Sequence, residues 1–284
     1  MDSLADAARV DVFVRTKNRP LFLKRALHSI TLQTWPHIHV HVINDGGERD
    51  PVEQLIGSCP NSLSLTTHHI SHSLGRAGAL NYGLAHSTGD FVAIHDDDDS
   101  WNPHFVAALL RHYDVIARQI PRVGAVASLL RRTFETVVDN QVVYLRTVDA
   151  RTHHEMRGIL HVERYLRFEE DLFPIQLIFR RDLIDRVGRF DQTFVVAEDR
   201  EFITRFIEKF EIAILTRPLA FHHVREASFD VAHSNSTADW ERLVAFLHVI
   251  ENRIARSKMA SREQSRAIPN KALAPTGHML EGSM

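Results

Sequence analysis

The run Phe91-Val-Ala-Ile94 is apolar throughout and leads, through His95, into four consecutive aspartates, Asp96–Asp99. An uninterrupted apolar run of this length reads as a strand buried on both faces, which belongs inside a sheet covered by helices. Four adjacent carboxylates repel one another unless something cationic binds among them. At a strand's carboxyl end that partner is usually a divalent metal carrying a phosphorylated ligand. A helical segment from Pro103 to Gln119 follows, with Phe105, Leu109 and Leu110 facing inward. An acidic cap at the start of that helix, with Asp99 or Ser100 capping a helix that begins near Asn102, is the alternative reading of the run. A calcium-binding EF-hand loop does not fit, because its sixth position would be Trp101 instead of glycine and its twelfth Ala107 instead of glutamate.

Strand and helix patterns alternate through the first half. Val10–Arg15 is a β-branched run. Pro20 opens an amphipathic helix through Gln33, with Leu21, Leu23, Leu27 and Ile30 apolar. Ile38–Ile43 reads as a second strand and ends in the turn signal Asn44-Asp-Gly-Gly47. A short helix over Pro51–Ile56, a third strand over Leu63–Ile70 and a helix over Gly75–His86 precede the aspartate strand. Strands separated by helices imply a mostly parallel sheet with right-handed crossovers, and ligands of such sheets bind beyond the carboxyl ends of the strands. Three polar clusters fall at those ends: Thr16–Arg19, Asn44–Gly47 and Asp96–Asp99.

The second half differs. Val123–Leu130 reads as a strand, and Phe134–Val148 as a hairpin pivoting on Asp139-Asn140. Gln176–Phe179 is a short strand before a helix over Arg181–Val187, Glu198–Phe210 has helical spacing, and Ile212–Leu215 is a strand. Ala238–Ser257 is a long amphipathic helix with Leu243, Leu247 and Ile250 in phase, and the polar segment after Lys258 reads as a mobile tail.

At 284 residues the chain can bury a substantial core, and its 44% hydrophobic and 25% charged residues are ordinary for a soluble domain. A net charge of −2 gives no global field toward nucleic acid. One cysteine, Cys59, excludes an internal disulfide framework and fits a reducing, cytoplasmic compartment. Met1–Arg9 does not read as a signal peptide, and no apolar run approaches the roughly 20 residues of a membrane span.

Four segments in order, Val12-Phe-Val-Arg-Thr-Lys-Asn-Arg-Pro20, Val42-Ile-Asn-Asp-Gly46, Gly75 to Leu84, and Ile94-His-Asp-Asp-Asp-Asp-Ser-Trp-Asn-Pro103, resemble the signatures of family 2 glycosyltransferases. The resemblance implies an α/β GT-A fold, a Rossmann-like, mostly parallel sheet flanked by helices. That domain would span 1–230, with a nucleotide-binding half at 10–100 and an acceptor-binding half at 120–230. A C-terminal helical extension would occupy 231–258 and the tail 259–284.

It further implies an inverting transfer from a UDP-type sugar donor to a hydroxyl of a glycan or lipid-linked acceptor, with Mn²⁺ or Mg²⁺, in surface polysaccharide synthesis. By this resemblance Thr16 and Asp45 contact the base, Asn18 belongs to the nucleotide site, and Arg19 reaches the diphosphate or stays solvated. Asp96 binds ribose or base and Asp98 the metal. Asp97 fills a variable position on the nucleotide side and reads as the most replaceable of the four, and Asp99 is a further metal candidate. Arg76 stands where it can supply a basic charge that Leu80 lacks.

In Phe190–Phe202, Asp199 resembles the family's catalytic base, with Glu198 in acceptor binding or in support of the base. Near the end of the domain His223, or less favoured His222, completes the metal shell, and Arg225 grips the diphosphate. His37, His39, His41, His68 and His69 read as strand or surface residues. The basic residues of the last helix and tail, Arg242, Arg253, Arg256, Lys258, Arg262, Arg266 and Lys271, fit either a peripheral membrane contact or, preferred, a helix packed on the domain or at a dimer interface. Two rivals are weaker. A nucleotidyltransferase would want glycines in Thr16-Lys-Asn-Arg-Pro20, and a silent binding module would lack the Glu198-Asp199 pair.

Overall fold

The computed structural model describes residues 7–150, 156–226 and 240–267. Its first half follows the sequence pattern closely: β1 (Val10–Thr16), α1 (Pro20–Thr31), β2 (Ile38–Asp45), α2 (Asp50–Gly57), β3 (Ser64–Ile70), α3 (Gly75–His86), β4 (Phe91–Asp96), β5 (Ser100–Trp101) and α4 (Phe105–Ala117). The second half contains β6 (Val123–Val138), β7 (Gln141–Asp149), β8 (Gly158–Ile159), α5 (Val162–Leu166), β9 (Leu177–Arg180), α6 (Ile184–Val187), α7 (Glu198–Ile207), β10 (Glu211–Arg225) and α8 (Trp240–Ala267).

All these strands join one sheet with the order β3-β2-β1-β4-β9-β6-β10-β5, β7 pairing with β6 and β8 with β10. Strands β3, β2, β1 and β4 are parallel, as are β6 and β10, and β9 is inserted antiparallel between β4 and β6. Alternation along β1 sends Val10, Val12 and Val14 into the core beneath α1 and α4, and Phe13 into the core beneath α3 and α7. Each face is covered by helices, which explains why β1 and β4 carry apolar residues on both sides.

Several second-half expectations are corrected. The expected strand over Val123–Leu130 and the first arm of the hairpin form one 16-residue strand, β6, with Asp139 and Asn140 at positive φ in the tight turn to β7. Strand β10 likewise fuses Ile212–Leu215 with the segment through Arg225, absorbing Pro218 at register shifts. Ser100 is no helix cap: it pairs with Phe221 in β5, and α4 starts only at Phe105. Trp101 explains the short strand, since its indole is buried, donates to the Ile175 carbonyl at 2.6 Å and stacks on Phe105.

The helix expected over Arg181–Val187 starts as a 3₁₀ turn over Arg181–Leu183, and the one expected to reach Phe210 ends at Ile207. Helix α8 continues through Ala267, nine residues past Lys258, while 268–284 and the junction 227–239 lie outside the described residues. It packs on the domain: Ile250 is buried with Phe194 and Ala197, and Arg253 pairs with Asp191 and Glu201 at 3.1 and 3.2 Å. Among the described residues no helix is long and apolar enough to cross a membrane.

The histidines of β2 and β3 are not independent surface residues. His41 Nδ1 lies 3.1 Å from His68 Nε2, His41 and His68 stack at 5.4 Å, and His68 also meets Tyr82 and His86 of α3. Burial, reinforced by His41, His86 and His39, pushes His68 down to about 4. The unfolded chain binds that proton near pH 6.5 and the folded protein only near pH 4, so unfolding takes up protons across this window. Thermal melts are therefore expected to show stability falling as pH drops from about 6.5 toward 4. His68→Gln should flatten the profile, and an unchanged slope in that variant would discount the cluster.

Candidate active site

The three polar clusters emerge side by side because β1 lies between β2 and β4. Register pairs Thr16 with Asn44 and Arg15 with Asp96. The end of β10 joins them from the other side, since Ser100 of β5 pairs with Phe221, which brings His222, His223 and Arg225 beside the aspartates.

Burial divides the four aspartates by alternation. Asp96 and Asp98 keep 22% and 13% of their side-chain surface exposed, whereas Asp97 and Asp99 are buried. Asp96 Oδ1 accepts from Arg15 Nε and Nη2 at 3.1 and 2.9 Å. One oxygen of Asp98 accepts from Arg19 at 2.7 Å and from Arg225. Burial opposes ionisation of both, yet Arg15 and Arg76 hold Asp96, and Arg19 and Arg225 hold Asp98, below the usual carboxylate range.

Asp97 accepts from Thr16 Oγ1 at 2.7 Å and from Arg19 at 2.8 Å, and burial raises it to about 7. It ties β1 to the aspartate turn, so it is not the replaceable member of the run. Asp99 turns inward to accept the His223 backbone N–H at 2.9 Å, and burial together with Asp98 and Asp96 raises it well above its ordinary value. Turned inward in this way it anchors β10, and its contact is with the strand instead of the cleft.

The Asp45 carboxylate accepts from Ser73 Oγ, Leu74 N and Gly75 N at 2.7, 2.6 and 3.1 Å, fastening β2 to the start of α3. Asn18, at φ 53°, accepts the Glu48 N–H at 2.7 Å and joins the first two strand-end loops. Gly47 makes that crossing possible, since a Cβ there would lie 2.6 Å from Asn44 Oδ1 and 2.7 Å from Asn18 Oδ1.

On the opposite side, Asn81 of α3 exchanges two hydrogen bonds with the Phe190 backbone at 2.8 and 2.9 Å and so fixes the segment entering α7. Ala197 stands just before α7 in the left-handed region, φ 58°, an uncommon conformation for alanine that aims Glu198 and Asp199 into the site. Glu198 is fully buried: Oε1 meets Arg15 Nη1 at 2.9 Å and Arg76 Nε at 3.1 Å, and Oε2 has no hydrogen-bond partner among the described residues. Asp199 is half-buried and accepts the Arg200 N–H at 2.7 Å. Burial, and then the Glu198 charge, raise it above the ordinary aspartate value.

Both ring nitrogens of His223 are engaged, Nε2 with Ser100 Oγ at 2.8 Å and Nδ1 with Glu135 at 2.9 Å. The preference for His223 as metal ligand is therefore reversed. His222 Nδ1 is buried without a hydrogen-bond partner among the described residues, within electrostatic reach of Asp98 and Asp96. Among the described residues no group of three or more His, Cys, Asp or Glu side chains is arranged to hold a metal ion. Among the described residues the donors on hand are the Asp98 carboxylate, with Asp96 beside it, and the orphaned imidazole nitrogen His222 Nδ1. Oxygen and imidazole donors are of the kind that a hard divalent ion takes together with phosphate oxygens and water.

The model of glycosyl transferase family 2 matches residues 11–168, more than half of the chain. The chain belongs to family 2 of the glycosyltransferases. It is 24% identical over 248 residues to an uncharacterized glycosyltransferase of Nostoc sp., an alignment covering 82% of this chain and 70% of that protein. Among solved structures it resembles residues 1–349 of TarS from S. aureus in complex with UDP-GlcNAc. The TM-score is 0.62 and the identity 19%, covering 85% of this chain and 66% of that one. It also resembles the mannosyltransferase PcManGT from Pyrobaculum calidifontis in complex with GDP-Man and Mn²⁺, with a TM-score of 0.58 and 22% identity, covering 78% of this chain and 59% of that one. The fold is thus the GT-A fold expected from the sequence.

Three residues of this glycosyltransferase's site went unread in the sequence: Arg15, Arg25 and Glu135. Arg25 donates to both oxygens of Glu135 at 2.7 and 3.1 Å and also to the Asp98 carbonyl, and Arg225 approaches Glu135 at 3.6 Å. Arg15 carried a usable signal, because a charged residue directly after the apolar run Val12–Val14 of a buried strand has to be paired. Arg25 and Glu135 carried none, as each sits in a pattern that a solvated residue fits equally well.

Proposed function

We propose that this glycosyltransferase moves a sugar from a UDP-sugar to a hydroxyl of a glycan or lipid-linked acceptor by a single in-line displacement that inverts the anomeric centre. Residues 1–230 form the catalytic domain in this reading. The observation that carries it is the Glu198-Asp199 pair at the head of α7, held one arginine away from Asp96 at the nucleotide end of the sheet. Asp199, with its raised affinity for a proton, takes the acceptor hydroxyl's proton as the oxygen attacks. Asp96, Thr16 and the Asn18–Asp45 loops border the nucleoside, and Arg19 and Arg225 are the cations within reach of the diphosphate. Asp98 and His222 Nδ1 would hold a Mn²⁺ or Mg²⁺ ion, whose chemistry when bound is to neutralise charge gathering on the departing diphosphate.

The test is a thermal-shift panel of UDP-, GDP- and dTDP-sugars, each with Mn²⁺ and with chelator. Stabilisation by the UDP-sugars that the chelator weakens is expected. Selective stabilisation by a GDP-sugar would overturn the base assignment. Metal-dependent binding that survives Asp98→Ala combined with His222→Ala would overturn the ion's placement.

A further inference from the structure

Arg15 belongs to neither the nucleotide loops nor the base, yet it touches both sides of the site. It sits on β1 directly opposite Asp96 of β4, with 9% of its side chain exposed. Its Nε and Nη2 grip Asp96 Oδ1, and its Nη1 reaches Glu198 Oε1, 183 residues downstream. The half-buried Asp96 and the buried Glu198 carry like charges, and the planar guanidinium fork lets one cation bond both in fixed directions. Only one Glu198 oxygen is used by Arg15 and Arg76. The other is buried and lacks a hydrogen-bond partner among the described residues, a costly arrangement unless a ligand O–H completes it. A sugar hydroxyl is the donor that a glycosyl-transfer site brings to such an oxygen.

We propose that Arg15 is a positioning residue that locks the donor-side Asp96 to Glu198, so that Glu198 Oε2 is presented to a hydroxyl of the bound sugar and Asp199 beside it is aligned for attack. This rests on the glycosyl-transfer reading. Loss of Arg15 leaves the nucleoside loops, Arg19 and Arg225 in place, so it affects the geometry of the sugar more than the grip on the nucleotide.

The experiment compares Arg15→Lys, Glu198→Gln and the double variant, each checked for folding by its melting transition. UDP affinity is measured by calorimetry and kcat by sugar transfer. Lysine keeps a charge at the site but cannot fork to two carboxylates, and glutamine keeps the shape of Glu198 without its charge. Each single variant is expected to bind UDP nearly as the parent does, while kcat falls about 10–100-fold from misplaced reacting groups. The double variant should lose no more than the worse single variant, because both substitutions break one link.

Parental kcat in Arg15→Lys would overturn the assignment, as would multiplicative losses in the double variant. A loss of UDP affinity equal to the loss in kcat would assign Arg15 to nucleotide binding instead. If Arg15→Lys fails to fold, Glu198→Gln still decides, since parental kcat there removes the contact the proposal depends on. Absence of any nucleotide-sugar binding or turnover in the parent would instead refute the glycosyl-transfer reading itself.

Discussion

An Asp199→Asn variant is expected to lose about 10²–10⁴-fold in kcat, the usual contribution of a positioned general base, with UDP-sugar affinity retained. Asparagine preserves the shape and can still accept the Arg200 N–H, as Asp199 does at 2.7 Å, but cannot take a proton. The parent's pH profile should carry the same signature. Burial and the Glu198 charge raise the Asp199 pKa, so kcat should fall on acidification at a pH above the ordinary aspartate value. Glu198→Gln removes that neighbouring charge and should move this acidic limb to lower pH. Steady-state transfer rates across pH check both statements, and parental turnover by Asp199→Asn would remove the residue from the role.

The second large effect is on stability. Glu135→Leu is expected to destabilise the fold by about 3–5 kcal/mol, the range for removing one partner of a buried ion pair. Glu135 is 1% exposed, accepts from Arg25, bonds His223 Nδ1 and forms an ion pair at 3.6 Å with Arg225, whose side chain is itself buried. Without that carboxylate Arg25 and Arg225 are left facing mainly the Asp98 region, and β6 loses its polar link to α1. Thermal denaturation should register a drop of about 2–4 °C per kcal/mol in a protein of this size. Because Arg225 and His223 also flank Asp98 and Asp99, the surviving folded protein should bind the nucleotide-sugar more weakly. A melting temperature equal to the parent's would show that the cluster is not the clamp its geometry suggests.

Much of the site was legible because a parallel sheet leaves few choices. Once Val10–Arg15, Ile38–Ile43 and Phe91–Ile94 are strands divided by helices, their carboxyl ends must share one edge. Gly75–His86 was legible to the residue, its boundaries marked by a starting glycine and a closing Ser-Thr-Gly. The aspartate run was legible as a functional site but not in its internal division of labour. Whether Asp96 and Asp98 or Asp97 and Asp99 face the cleft depends on the phase of the turn leaving β4, which the neighbouring strand imposes. For the same reason Asp97 looked replaceable and proved to be buried against Thr16 and Arg19. The choice between His222 and His223 depended on the register of β10, which reaches the site only after shifts at Leu215–Ala220.

The sequence by itself determined the alternating α/β layout, the strand-end placement of Thr16, Asp45 and Asp96, and the Glu198-Asp199 pair at a helix start. Those follow from local patterns of a few residues. Tertiary structure alone decided that Arg15, Arg19 and Arg225 pair with Asp96, Asp97 and Asp98 and that Glu135 anchors Arg25 and Arg225. It also decided that His222 carries the unpartnered nitrogen. Those contacts join residues 78 to 127 positions apart. A buried charge is stable only beside its partner, and which partner arrives is fixed by strand order and register, quantities that no local pattern encodes.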